Sequence, residues 1–247
     1  IAEALQTTLS PEEERRIDTN PTDNLLALDA YLRGRQLMAT RESAKLEAAI
    51  GEFNKAVELD PQFALAWVGV ADSNYLLTLY GTFPRDEAIP ISEDAIRRAL
   101  AIDDTLGEAY ASLGLLKLAR NQYADAETAY KKAIELNPNY ATAYQWYAVL
   151  VGEFPLRIDE QMDLIEKAVE LDPRSRVIAT NLATTYQNRG LYSLAERQFQ
   201  KVIELNPGSP QTHALFASLY AYHMGRYVPA LLHALKAVEF DPGGMGP

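Results

Sequence analysis

Cysteine is absent from all 247 residues, which excludes disulfides, thiolate nucleophiles and cysteine-bound metal. Histidine is nearly absent too, with only His213, His223 and His233. The chain has no glycine-rich phosphate loop and no His-Glu-x-x-His pair, the short motifs that most directly announce nucleotide or zinc chemistry. No apolar run reaches the roughly 18 residues that a membrane span requires, and no signal peptide opens the sequence. Basic residues are in deficit, 23 against 34 acidic ones for a formal charge of -11. Such a balance argues against this segment gripping nucleic acid or an anionic membrane. The first residue is Ile1 rather than methionine, so a piece of a longer protein is expected. The expected compartment is the cytoplasm, with the periplasm open if a preceding part carries a membrane span.

What the sequence has is a period. Helix-like stretches end repeatedly in an acidic or amide residue followed by proline, at Pro61, Pro138, Pro173, Pro207 and Pro242, with Asp104 standing where another proline is expected. The intervals are 43, 34, 35, 34 and 35 residues. A period of about 34 residues is that of a helix-turn-helix solenoid. The expected fold is therefore all-α, a right-handed α-solenoid of about six two-helix units in which each unit packs on its neighbours around one continuous core. The 48% hydrophobic content is enough to build it. Residues 23–242 make up the array, with units ending near 61, 104, 138, 173, 207 and 242. Residues 1–22 form a helical arm or linker from an upstream domain, and 243–247 a tail.

The unit from Gly107 to Tyr140 is the most regular. Tyr110, Leu113 and Gly114 mark its first helix, and Ala126, Tyr130 and Ala133 its second, before Asn137-Pro138. Large apolar residues at i and i+3 or i+4 give each helix one sticky stripe, and Gly114 and Ala126 let the two backbones approach. This pattern resembles the tetratricopeptide repeat. The fifth unit repeats it with Leu182, Ala183, Tyr186, Ala195, Phe199 and Pro207, and the sixth with Ala217, Tyr220, Ala230 and Ala237, His213 taking the usual aromatic place. The first unit shows Gly34, Ala49, Phe53 and Ala56 with about three extra residues between its helices, the second Trp67, Ala71 and Ala99, and the fourth Tyr144, Ala148, Ile165 and Ala168. Gly190 and Gly225 suit left-handed helix ends.

Two regions depart from the pattern. The second unit is about nine residues too long, and the surplus Thr78 to Pro90 reads as an ordered loop with slightly lengthened helices, tolerated at small entropic cost. Ahead of the array, Ser10-Pro11-Glu12-Glu13 reads as a helix start with a serine cap, and Pro21 to Asn24 offers caps for a helix beginning near Leu25.

Longer phrases resemble one class more particularly: IAEALQTTLSPEE from Ile1, PTDNLLALDAYLRG from Pro21, LYGTFPRDEA in the long loop, and NPNYATAYQWYA from Asn137. They resemble the C-terminal region of large bacterial signalling regulators, in which a winged-helix DNA-binding, cyclase or kinase domain precedes a TolB-like segment and tetratricopeptide repeats. The resemblance implies a sensory or docking part rather than an output domain. It transfers no catalytic residue, and no enzyme activity, cofactor or metal is expected. His213 and His223 share a helix ten residues apart, and His233 lies on the next, which reads as scattered core or surface histidine.

The resemblance also implies that the first helix of each unit lines a concave face. By position this gives Asp72 and Tyr75; Glu108, Ala111 and Leu115; Thr142, Gln145, Trp146 and Val149; Thr180, Asn181, Thr184, Gln187 and Asn188; Gln211, Ala214 and Ser218. None of these is Lys or Arg, so the carboxylate clamp of chaperone-binding members is not expected, and only Asn181 resembles a part of one. The expected binding set is Tyr75, Gln145, Trp146, Val149, Asn181, Thr184, Gln187 and Asn188, an amide-rich and partly aromatic surface suited to a protein or peptide. Near the end, Leu231, Leu232 and Leu235 lack a covering helix, which leaves self-assembly through the terminal repeats as the other expectation.

Overall fold

The computed structural model describes residues 21–81 and 83–241, and among them regular structure is entirely helical. The readings placed on Ser10 to Glu13 and on the tail after Asp241 lie outside the described residues. The chain gathers into two compact units, one up to Asn137 and one from Pro138, each holding three helix hairpins.

In the first unit the hairpins are α1 (Leu25–Met38) with α2 (Ser43–Leu59), α3 (Ala64–Tyr80) with α4 (Arg85–Ile102), and α5 (Gly107–Ala119) with α6 (Tyr123–Leu136). Asn24 caps α1 as expected, its side chain accepting from the Leu26 and Ala27 amides, which would otherwise lack partners in the first turn. Phe53, fully buried on α2, lies against two glycines: a β-carbon at Gly34 would come 2.8 Å from its ring, and one at Gly69 on the next hairpin closer still. One phenyl ring thus joins successive repeats, because both helices present only backbone there.

The surplus of the second hairpin is mostly helix, not loop. Past its small packing residue Ala71, α3 runs one helical turn further than α5 runs past Gly114, and α4 begins one turn further ahead of its own small residue, Ser92. Only residues 81–84 connect them. Pro90 sits inside α4 as its sixth residue, where its missing N–H forfeits one helical bond, the one to Asp86 O. Ser92, fully buried, donates its hydroxyl to the Ala71 carbonyl at 2.9 Å, and so ties the lengthened hairpin together. The additional residues of the first hairpin likewise fall mainly in α2, which has 17 residues against 14 in α6.

The second unit comprises α7 (Ala141–Gly152), a 3-10 turn (Pro155–Arg157), α8 (Ile158–Leu171), α9 (Arg176–Asn188), α10 (Tyr192–Leu205), α11 (Pro210–Ser218), a π-helical turn (Leu219–His223) and α12 (Tyr227–Phe240). Asn121, Gly190 and Gly225 close the first helices of the third, fifth and sixth hairpins with φ of 59°, 73° and 63°, the left-handed stop that glycine and asparagine adopt most readily. Two clusters of its core lie among the described residues. One centres on Met162, Ile165, Ile178 and Leu182, the other on Phe199, Phe216, Leu219 and Tyr220.

Candidate partner-binding surface

On α9, Asn181, Thr184 and Gln187 recur every three residues and fall on one side of the helix. The threonines spend their hydroxyls on their own helix: Thr180 donates to Arg176 O, Thr184 to Thr180 O and Thr185 to Asn181 O, at 2.8, 3.1 and 2.9 Å. Such back-bonding leaves the amides as the groups available for recognition. Asn188 is exposed, Asn181, Thr184 and Gln187 are half-buried, and Gln187 Oε1 is buried with no hydrogen-bond partner among the described residues. A buried acceptor without a donor costs about 1–3 kcal/mol.

The other expected residues are placed differently. Tyr75, Gln145 and Trp146 are buried, each no more than 6% exposed, so they offer no open face. The reason is local. Both helices are apolar nearly all round, and α3 buries twelve residues and α7 eight, so a first-helix position that faces outward elsewhere is covered here. Tyr75 belongs to the first unit; its hydroxyl lies 3.5 Å from an Arg85 guanidinium nitrogen that also donates to Ala119 O at 2.6 Å. Val149 is exposed.

Two polar arrangements escaped the sequence pattern. Asp72 is buried on α3 and accepts from the Ser112 hydroxyl of α5 at 2.6 Å. Burial raises its carboxyl to about 7, against the opposing pull of Ser112 and Arg41. In the second unit His213 and His233 meet, Nδ1 to Nδ1 at 2.8 Å, while His213 Nε2 lies 2.9 Å from Pro207 O. A carbonyl only accepts, so His213 carries its proton on Nε2, and His233 Nδ1–H donates to His213 Nδ1. Their separation of twenty positions, across two helices, conceals this from any reading of one helix. Among the described residues no group of three or more His, Asp or Glu side chains could hold a metal. Nor is any described helix long and apolar enough to cross a membrane.

Residues 107–140 and 177–206 each match a family model described as tetratricopeptide repeat. These segments are tetratricopeptide repeats. Across 180 residues the chain is 26% identical to the mitochondrial import receptor subunit TOM70 of Rattus norvegicus, a match covering 72% of this chain and 29% of that protein. The chain therefore spans only about three-tenths of the length of that curated relative. Among solved structures, the APC/C hetero-tetramer Cut9–Hcn1 aligns with a TM-score of 0.66 at 16% identity, covering 89% of this chain and 44% of its own. YrrB, a tetratricopeptide protein with an unusual peptide-binding site, aligns at 0.50 and 21% identity, covering 78% of this chain and 94% of its own. At such identities the likeness is one of fold: helix hairpins arrayed as in tetratricopeptide solenoids. That fold is in general a non-catalytic scaffold for protein–protein interaction.

Proposed function

We propose that the chain binds a peptide or partner segment through the amide-bearing side of α9, and serves as the sensory or docking part of a bacterial signalling or transcriptional regulator. The observation that carries this reading is the buried, unpartnered Gln187 Oε1 beside Asn181 and Thr184. Because that acceptor gains nothing where it lies, the half-buried Gln187 side chain can turn outward and accept a partner's backbone N–H at no loss of internal hydrogen bonding, and amide side chains recognise backbone without demanding a particular charge. YrrB, of the same fold, is described with a peptide-binding site, and the phrases PTDNLLALDAYLRG and NPNYATAYQWYA support the regulator context. The test is capture from bacterial lysate on the immobilised chain, followed by calorimetry with the recovered partner. Gln187→Ala and Asn181→Ala weaken binding by about tenfold or more while the thermal midpoint stays within a few degrees. Unchanged affinity in both variants removes α9 from the reading.

A second reading, self-assembly through a terminal repeat, is favoured by α12, where Val228, Leu231, Leu232 and Leu235 are each more than half exposed. Leu232→Glu then converts a dimer to a monomer in light scattering. A wild-type chain that is monomeric at high concentration ends that reading.

A further inference from the structure

One position recurs in repeats two to six, six residues after the turn mark that precedes each. It holds Trp67 after Pro61, Tyr110 after Asp104, Tyr144 after Pro138 and His213 after Pro207. In three of these the ring is anchored alike: Trp67 Nε1 donates to Pro61 O at 3.0 Å, Tyr144 Oη to Pro138 O at 3.1 Å, and His213 Nε2 to Pro207 O at 2.9 Å. The second helix of each hairpin carries a cation at one fixed position, Arg98, Lys132, Lys167, Lys201 or Lys236 in repeats two to six. In the second repeat Arg98 lies over the Trp67 ring, 4.8 Å from its centroid.

In the fifth repeat the ring is missing. Ala179 stands six residues after Pro173, and beside it opens a cleft of about 410 Å³ lined by Val169, Pro173, Gln198, Lys201 and Leu205. That volume falls within the range of ligand pockets, roughly 300–1,000 Å³. Among the described residues no donor reaches Pro173 O. The cleft therefore retains the carbonyl that anchors a ring in three sister repeats, and Lys201 stands at the place of Arg98, which lies over Trp67 in the second.

We propose that this cleft is a docking slot for an indole or phenol side chain of a partner polypeptide, its N–H or O–H donating to Pro173 O and its face meeting Lys201. The ring comes from outside the chain segment: residues 1–20 and 242–247 contain no Phe, Tyr, Trp or His. Asp172 and Glu204 also line the cleft, so an uncharged or cationic ring is accepted and an anionic one is not. The slot uses none of the α9 amides, and stands or falls apart from them.

Amide NMR of the whole chain titrated with N-acetyl-tryptophanamide tests the slot. The expected result is millimolar binding, as suits a single ring, with shifts confined to residues 169–179 and 198–205. The 1-methylindole analogue, lacking the N–H, binds several-fold more weakly, and N-acetyl-leucinamide gives no comparable shifts. Ala179→Tyr supplies the ring internally; it abolishes the shifts and raises the thermal midpoint. If that variant does not fold, Lys201→Ser serves instead and weakens binding several-fold. The slot is overturned by leucinamide acting as strongly, by shifts that survive Ala179→Tyr, or by shifts at Gln187 and Asn188 instead. A blocked tryptophan pentapeptide that fails where the free amide binds would mean a small molecule, not a polypeptide, fills it. Shifts at the slot on concentrating the protein alone would mean a second copy fills it through an exposed ring such as Tyr222 or Tyr227, and would overturn a foreign partner.

Discussion

The Nδ1 atoms of His213 and His233 lie 2.8 Å apart, so one imidazole must present a proton and the other a lone pair. His213 is 1% exposed and is held from its other side by Pro207 O. A proton added to His233 at Nε2 brings charge into a ring cluster formed with Phe216 and Tyr220, beside the Lys236 ammonium. Burial first, then His213 and Lys236, hold His233 down at about 4, against an ordinary 6.5.

The sign of the resulting pH dependence follows. A histidine whose folded pKa is depressed stabilises fully above the unfolded value and loses that contribution as pH falls from 6.5 towards 4, because the unfolded chain takes up the proton first. Thermal midpoints measured between pH 7.5 and 4.5 should fall more steeply for the wild type than for His233→Asn, whose amide N–H still donates to His213 Nδ1 without titrating. Equal slopes would show that the pair does not govern the acid response.

Asp72 has the opposite linkage. Its folded pKa, raised to about 7 by burial, makes the charged carboxylate a growing cost as pH climbs from the ordinary value of 3.8 through 7. Asp72→Asn keeps an acceptor for the Ser112 hydroxyl and abolishes the charge. At pH 8 it should be more stable than wild type by on the order of 2–4 kcal/mol, with little difference at pH 4. Denaturant unfolding at the two pH values checks this, and a difference that ignores pH would contradict it.

Gly114 permits the closest approach within the third hairpin. A β-carbon there would lie 2.7 Å from the ring of Tyr130, which is fully buried. Gly114→Ala should cost about 1–3 kcal/mol by overpacking, and adding Tyr130→Leu should recover part of that loss. Chemical denaturation of the double-mutant cycle reads the coupling; additive costs would mean that the ring and the glycine do not meet.

Trp146 stands as a core residue at 6% exposure. Trp146→Ala should destabilise by about 3–5 kcal/mol, whereas Gln187→Ala, which removes a buried acceptor without a donor, should leave the melting midpoint unchanged or slightly raised. Circular dichroism separates the two. A Trp146→Ala variant as stable as wild type would return the indole to the list of surface groups.

The repeats were legible because their causes are local. Proline at fixed intervals, small residues opposite aromatic ones, and Asn24, Gly190 and Gly225 at helix ends each dictate backbone within a few residues. The length of the second hairpin was visible too, but not its form. Nothing within Thr78 to Pro90 reveals that Ala71 and Ser92 meet across two longer helices. The site was less legible, since a position in the repeat says which side of a helix a residue occupies but not how closely the next element covers it. By that rule Trp146 and Asn181 look alike, yet one is buried and the other half-exposed.

Sequence by itself determined the all-helical class, the six hairpins and the absence of Lys and Arg from the positions expected on the concave face of units two to six, since each follows from periodicity and side-chain chemistry along the chain. Tertiary structure alone decided that His213 meets His233, that Asp72 meets Ser112, and that Ala179 leaves a cleft where Trp67, Tyr144 and His213 are anchored. Those outcomes depend on distances between separate helices, which the packing of side chains sets and no one-dimensional pattern encodes.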